Sequence, residues 1–190
     1  MLKKFIAATL LLLCAMGAGV ASEPTADRYE NLALGLRLTK PAGWRFMTAE
    51  ENTENLKRIE FSSEEFKKKV VAYTQPLVMV TQYPQDHVGV NPAVKLSIKS
   101  FVGLPDPTAE GVLKLGAEGM TQQFPDVQIS TVTQVRVAGR SARRMTVDFS
   151  TRATDGGGHA VSSVIWIVPD GDFYLMVGAS YPQGEHAVLE

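Results

Sequence analysis

A long loop places a histidine beside an acidic side chain. The loop runs from Pro84 to Pro92 and carries Asp86, His87 and Asn91. Such residues at a loop tip are typical of a metal or ligand site. One histidine and one aspartate do not complete a coordination shell, and no HxH or HxxxH pair adds to them. The alternative is a solvated loop that leads into the next strand.

A run of glycines precedes the second histidine, His159. Glycine-rich segments can expose backbone N–H groups to an anion. Phosphate-binding loops lead from a strand into the N-terminus of a helix, whereas residues 155–158 join two predicted strands. We therefore interpret the segment as a hairpin loop. His186, near the end of the chain, belongs to no pattern.

The residue types of a hydrolase are present, but they are not arranged as a catalytic group. Ser162 and Ser163 fall within a predicted strand and not in a G-x-S-x-G turn. A catalytic triad also needs a histidine and an acid that converge on the serine. We therefore expect a protein that is not an enzyme and that has no cofactor and no metal site. A hydrolase with an unrecognised site is the second alternative.

Arginines concentrate on a predicted hairpin that turns at Gly139. A three-residue turn over residues 139–141 places Arg136 directly opposite Arg144 on one face of the hairpin. Like charges directly opposite each other are unfavourable, so an anion is expected beside them. The anion is either an internal carboxylate such as Asp148 or a group that a partner presents.

The first 21 residues are typical of a cleavable export signal. Two lysines follow the initial methionine, and an apolar run extends from Phe5 to Met16. Gly19, Val20 and Ala21 form a small-residue cleavage site before Ser22. The apolar run is too short for a permanent anchor that spans a bilayer. The mature chain is therefore expected to be periplasmic or secreted.

The only cysteine, Cys14, lies within this apolar run and is removed with it. A lipid anchor on Cys14 is the alternative, but Leu13 stands where a lipobox carries a small residue. A mature chain without cysteine excludes a disulfide framework, thiol catalysis and cysteine-ligated metal sites. Loss of Lys3 and Lys4 leaves 17 of the 19 basic residues against 20 acidic residues, a net charge of −3. This balance argues against nucleic-acid binding.

Strand patterns occupy most of the mature chain. Alternating leucines from Leu32 to Leu38 predict one strand, and residues 77–83 and 94–98 predict two more. The last third, from Val127 onward, is predicted to be strands, with residues 161–168 at the centre of the sheet. Two tryptophans, Trp44 and Trp166, are expected in the core.

Helical patterns are fewer. Thr48 to Glu51 has the form of a capping box that opens a short helix. The main helix is predicted from a cap at Asp106 and Pro107 to about Phe124, with Gly116 on its apolar stripe. Lys67 to Lys69 are interpreted as a solvated helix end, and a closing helix that begins near Gly184 is expected to be truncated.

These elements predict an α+β fold: a single largely antiparallel sheet flanked by helices, an α/β/α sandwich that forms one domain over residues 22–190. Three segments, Tyr29-Glu30-Asn31, Gly35-Leu36-Arg37-Leu38 and Pro41-Ala42-Gly43-Trp44, resemble the opening of the PsbP-like fold family. That family includes extrinsic photosystem subunits, a Ran-binding import factor, bacterial envelope proteins and chaperones for secreted effectors. The resemblance implies binding and assembly, not chemistry.

The predicted function is therefore that of an exported, non-catalytic binding or assembly factor. Its partner is expected to be a protein or an anionic ligand of the cell envelope that meets the residues Asp86, His87, Asn91, Arg136 and Arg144. The first alternative is a carrier or chaperone that holds an apolar ligand or peptide. A groove lined by leucine, methionine and phenylalanine would favour that carrier.

Processing of the export signal is directly testable. The small residues before Ser22 and the poor lipobox at Cys14 predict a product that begins at Ser22 and carries no lipid. The intact mass of the exported protein measures this. A diacylglyceryl adduct on Cys14 would contradict the prediction and make the protein membrane-anchored.

Overall fold

A computed structural model describes residues 27–57, 64, 68, 76–152 and 157–185. By its internal contacts the chain divides into two compact units, residues 1–39 and 40–190. The predicted export signal with Cys14, the pair Lys67 and Lys69, and His186 lie outside the described residues. The single domain over residues 22–190 stays a prediction.

The described part of the first unit is a two-stranded hairpin. Strand β1 (Arg28–Asn31) pairs antiparallel with β2 (Leu36–Thr39). A 3-10 turn, Leu32–Leu34, joins them; Asn31 caps its start and Gly35 ends it in the left-handed conformation, with φ of 61°. The prediction of one strand through the alternating leucines is wrong, because this cap and this glycine reverse the chain halfway along it.

The second unit is built on an antiparallel sheet. Within the described residues, eight strands form it in the order β3-β4-β5-β10-β9-β8-β6, with β7 also paired to β8. The predicted α+β fold on one largely antiparallel sheet is confirmed. The strands are β3 (Arg45–Phe46), β4 (Val78–Thr81), β5 (Ala93–Ser100), β6 (Gln128–Ile129), β7 (Thr133–Val137), β8 (Arg140–Arg152), β9 (Gly158–Asp170) and β10 (Phe173–Pro182).

The first helix, α1 (Ala49–Lys57), begins at the predicted capping box. The Thr48 backbone N–H donates to Oε2 of Glu51 at 2.8 Å, and the Glu51 N–H donates to Oγ1 of Thr48 at 3.1 Å. These reciprocal hydrogen bonds satisfy two backbone N–H groups at the start of the helix, where no preceding turn supplies a carbonyl acceptor.

No helix in the described part of the chain is long and apolar enough to cross a membrane.

The main helix, α2 (Ala109–Gln123), begins later than predicted. Its cap is Thr108, whose Oγ1 accepts a hydrogen bond from the Gly111 N–H at 3.0 Å. The predicted cap at Asp106 is wrong, because the Asp106 carboxylate instead accepts a hydrogen bond from the Thr108 hydroxyl at 2.8 Å. The helix ends as predicted: the Phe124 N–H bonds the carbonyl of Met120, and proline follows.

The core lies between α2 and one face of the sheet, which we call the helix face. Leu113 of α2 packs there against side chains of the central strands. Val147 and Ile167 of those strands are inaccessible to solvent, so the helix and the sheet are closely packed. Gly116 is exposed, so its predicted place on the buried stripe is wrong. The core cluster consists of Phe101, Ala109, Leu113, Met145, Val147, Ile167 and Tyr174.

The central strand is β9, as the sequence predicts, since it lies between β8 and β10. Val164 and Ile167, on opposite faces of β9, are both inaccessible to solvent. The prediction that Trp44 is a core residue is confirmed, because 9% of its surface is exposed. The same prediction for Trp166 is wrong: it lies on the face opposite α2 and keeps partial contact with solvent.

Two glycines of α2 should respond in opposite ways to substitution by alanine. Gly116→Ala should stabilise the protein by about 1 kcal/mol, because alanine favours a helix and a Cβ at Gly116 meets nothing within 4 Å. Gly111→Ala should destabilise it by about 1–3 kcal/mol, because its Cβ would lie 2.3 Å from Cγ of Asp106. Urea unfolding of both variants measures the difference, and equal shifts would contradict the described packing.

Candidate functional site

The β7–β8 hairpin turns through two residues, not three. Ala138 and Gly139 both have positive φ, 47° and 78°. This is the geometry that a two-residue hairpin turn demands, and alanine adopts it rarely. The prediction of a three-residue turn is therefore wrong, because Ala138 takes a conformation that its type does not suggest.

The shorter turn changes which arginines are neighbours. Arg136 lies opposite Ser141, and Arg144 lies opposite Thr133 and Trp166. Because successive residues alternate faces, Arg136 and Arg144 are on opposite faces of the hairpin, and the predicted like-charge pair is wrong. Arg136 donates from Nη1 to the carbonyl of Gly139 at 3.0 Å, whereas Arg144 makes no hydrogen bond or ion pair within the described residues.

The observed register brings Arg140 and Arg143 to a cleft instead. The cleft has a volume of about 480 Å³ and lies between the start of α2 and the start of β8. We call it the arginine cleft. Its walls combine the first turn of a helix with two guanidinium groups and a carboxylate. The lining residues are Thr108, Ala109, Glu110, Arg140, Ser141, Ala142, Arg143 and Pro169.

Each of the two arginines has one hydrogen bond and one solvent-exposed ion pair. Arg140 donates from Nη2 to the Pro169 carbonyl at 2.7 Å and lies 3.0 Å from the exposed Asp170 carboxylate. Arg143 donates to Oε1 of Gln134 at 2.9 Å, and its Nε is 3.9 Å from Glu110. Exposed pairs such as these contribute little to stability, so a partner's carboxylate can replace them.

Glu110 interacts more strongly with Lys114 of its own helix than with Arg143 of the cleft. Lys114, one turn along α2, donates to Oε1 of Glu110 at 2.9 Å. This hydrogen bond and the charge of Lys114 lower the pKa of Glu110, and Arg143 adds a smaller effect in the same direction. Glu110 is therefore ionised at neutral pH, which leaves the two arginines as the groups of the cleft that can meet an anion.

Two exposed apolar side chains are linked to the cleft through the register of the sheet. Phe173 starts β10 directly opposite Asp170, and 53% of its surface is exposed. Val102 follows β5 and is 77% exposed; its N–H bonds Oγ of Ser100, which is the residue opposite Phe173. We call the arginine cleft together with Val102 and Phe173 the arginine corner.

The loop predicted to carry a site lies at the other end of β5 from this corner. Asn91 closes the loop: its Oδ1 accepts from the Tyr83 N–H at 3.0 Å, and its Nδ2 donates to the Tyr83 carbonyl at 2.9 Å. The ring of His87 stacks on that of Tyr83, with centroids 4.2 Å apart. Asp86 is exposed. The polar atoms of Asn91 are thus occupied, and the role of this loop in partner binding stays a prediction.

The remaining polar residues of the sequence analysis do not converge. Ser162 is fully buried and donates to Oδ1 of Asp148 at 2.6 Å, while Ser163 points to the other face and bonds Ser180. The strands on either side of the glycine run pair as far as Arg152 and Gly158, which confirms the hairpin before His159. No group of three histidine, cysteine, aspartate or glutamate residues that could hold a metal ion occurs in the described ranges.

A lysine on the helix face was not singled out by the sequence analysis. Lys95 lies in β5 between Met79 of β4 and Gly178 of β10. Burial lowers the pKa of the Lys95 ammonium, and repulsion by Lys99 lowers it further. Within the described part of the chain, Lys95 has no hydrogen bond or ion pair. The sequence feature that could have identified Lys95 is the absence of any acidic residue from β4, β5 and β10. This feature has meaning only once the strand order shows that these three strands are neighbours.

Comparisons with known proteins identify no family for this chain. No protein-family model matches it, and no curated protein sequence matches it. One similar solved structure is LpqN, which is involved in cell envelope biogenesis of Mycobacterium tuberculosis: 18% identity, 80% of this chain and 73% of that chain covered, TM-score 0.45. Another, from Pseudomonas aeruginosa, has unknown function: 9% identity, 83% of each chain covered, TM-score 0.41. The resemblance to PsbP-like proteins stays a prediction.

Replacement of Lys95 by methionine should stabilise the protein at neutral pH by about 1–3 kcal/mol, because it removes a desolvated charge without a partner. The lowered pKa means that the unfolded chain holds this proton more tightly than the folded one. The folded protein therefore gains stability as pH rises towards the ordinary lysine pKa of 10.5, and the advantage of the variant shrinks.

Urea unfolding at several pH values measures this effect. The control is Lys114→Met, which removes an exposed lysine that already has a partner and should change stability little. A Lys95→Met variant that is less stable than the parent protein at neutral pH would show that the ammonium is paired or fully solvated.

Proposed function

We propose that this chain is an exported, non-catalytic binding protein of the cell envelope that recognises a protein partner through the arginine corner. The observation that carries the proposal is the juxtaposition of two replaceable arginines, a cleft and two exposed apolar side chains. The residues that contribute most of the binding energy in protein interfaces are often arginines and aromatic residues near a pocket. Export is supported by the signal pattern of the first 21 residues.

The chemistry of the corner defines what the partner presents. A carboxylate that enters the cleft displaces Asp170 from Arg140 or Glu110 from Arg143, at distances of 3.0 and 3.9 Å, and forms a forked pair with a guanidinium. An apolar side chain beside that carboxylate covers Phe173 and Val102. The proposed partner segment therefore carries an acidic residue next to a large apolar one.

The alternatives of the sequence analysis receive unequal support. A hydrolase needs an accessible nucleophile, and Ser162 is inaccessible to solvent. Nothing in the described geometry favours that function. A carrier of apolar ligands is favoured by one observation, the half-buried methionines beside Lys95, which concern a different surface from the arginine corner.

A photo-crosslinking amino acid in place of Phe173, in the full chain expressed in its own cells, should capture the partner. The affinity of the identified partner for purified variants then tests the mechanism. Arg140→Gln with Arg143→Gln should weaken binding by about tenfold or more and flatten its dependence on salt, because both cationic contacts are lost.

The matched control is Arg136→Gln, on the same hairpin. Arg136 is exposed and bonds only its own turn, so its loss should leave the affinity unchanged. Equal affinity of the parent protein and the double variant for the captured partner would refute the role of the corner, as would equal losses in the double variant and the control.

A further inference from the structure

The helix face of the sheet extends beyond the part that α2 covers. One row of side chains crosses it from strand to strand: Met145, Ile165, Gly178, Lys95 and Met79. Met145 is buried in the core beneath α2, and Ile165 packs at its edge. From Gly178 to Met79 the row is only half-buried. Lys95 therefore stands next to the edge of the core, on a floor that keeps contact with solvent.

The side chain of Lys95 lies over the glycine opposite it, Gly178. A Cβ at position 178 would be 3.7 Å from both Cγ and Cε of Lys95, so the lysine stem passes directly over Gly178. A Cβ at that distance makes ordinary van der Waals contact, so alanine would fit as well, whereas a longer side chain would compete for that space.

Among the described residues, the charged side chains that the strands of this floor contribute are all basic. Strands β4, β5 and β10 contain no acidic residue, and Lys99 lies two side chains along β5 on the same face as Lys95. Arg45 of β3 also belongs to this face, but Glu51 neutralises it at 2.8 Å. An ammonium that is partly desolvated and unpaired gains more from an anion than a fully solvated one does.

The surroundings of the ammonium are apolar on two sides. Met79 and Met176 are half-buried, and methionine adapts to ligands of varied shape. Met176 and Ile165 both pack against the core cluster, while Met79 lies on the other side of Lys95. The hydroxyl groups of Ser163 and Ser180, 2.7 Å apart, bond each other at the border of the floor. An anion bound to Lys95 would therefore have apolar surface beside it that a hydrocarbon chain can cover.

We propose that this floor is a second binding site, centred on Lys95, for a ligand that joins a carboxylate to a short apolar chain. The carboxylate pairs with the Lys95 ammonium between Met79 and Gly178, and the chain covers Met176 and Ile165. This site is separate from the arginine corner and does not depend on the proposed protein partner. It gives the chain the capacity to hold an amphiphilic acid.

Octanoate is a suitable probe, and calorimetric titration of the full-length protein measures its affinity. Octanoate should bind. Acetate lacks the chain, and octan-1-ol and octylamine lack the carboxylate, so each of the three should bind at least about tenfold more weakly than octanoate. Lys95→Met should weaken octanoate binding by about tenfold or more, because the ion pair is lost while the apolar floor remains. Lys114→Met, the matched control on α2, should leave it unchanged.

A second readout keeps the test independent of the stability of any variant. In the unsubstituted protein, octanoate should shift the ε-methylene NMR signal of Lys95 and the methyl signals of Met79 and Met176, and acetate at the same concentration should shift them less. The proposal is overturned if Lys95→Met binds octanoate as tightly as the parent protein, if octan-1-ol binds as well as octanoate, or if the shifted signals lie elsewhere.

Discussion

The pairing of β9 with β8 on one side and β10 on the other is the constraint on which the other features depend. Each partner is antiparallel, and the register holds over ten pairs on each side. Because side chains alternate, a slip of one residue would exchange the two faces of the sheet. Val164 and Ile167, both inaccessible to solvent, hold the register from opposite faces. The positions of Arg143 and Lys95 follow from it.

The register distributes the functional groups over two distinct surfaces. The end of β9 and the start of β8 meet the first turn of α2, which produces the arginine corner. Further across the same sheet, α2 no longer covers the helix face, and Lys95 stands there with no counter-ion among the residues that the structure describes. The first surface has solvent-exposed ion pairs and exposed apolar side chains, and we propose it as the protein-binding surface for that reason. The second offers one desolvated charge on a half-buried floor, which suits a smaller amphiphilic ligand.

Local signals in the sequence predicted local structure well. The capping box at Thr48, the end of the main helix at Phe124 and the central strand β9 each depend on residues within a few positions of one another. The prediction of the β7–β8 turn was wrong because Ala138 adopts a positive φ that its side chain disfavours. The resulting change of register gave every arginine of the hairpin a different cross-strand neighbour from the predicted one. Lys95 could not be recognised, because its significance depends on β10, whose residues are about 80 positions later in the chain.

The most direct test of this account is the pKa of Lys95, measured by NMR titration of its ε-methylene signal in the unliganded protein. The account predicts a midpoint clearly below the ordinary value of 10.5, since burial and Lys99 both favour the neutral amine. Lys114, whose pKa is raised by its hydrogen bond to Glu110, should titrate at higher pH in the same experiment. A Lys95 midpoint at or above that of Lys114 would contradict the unpaired, desolvated ammonium.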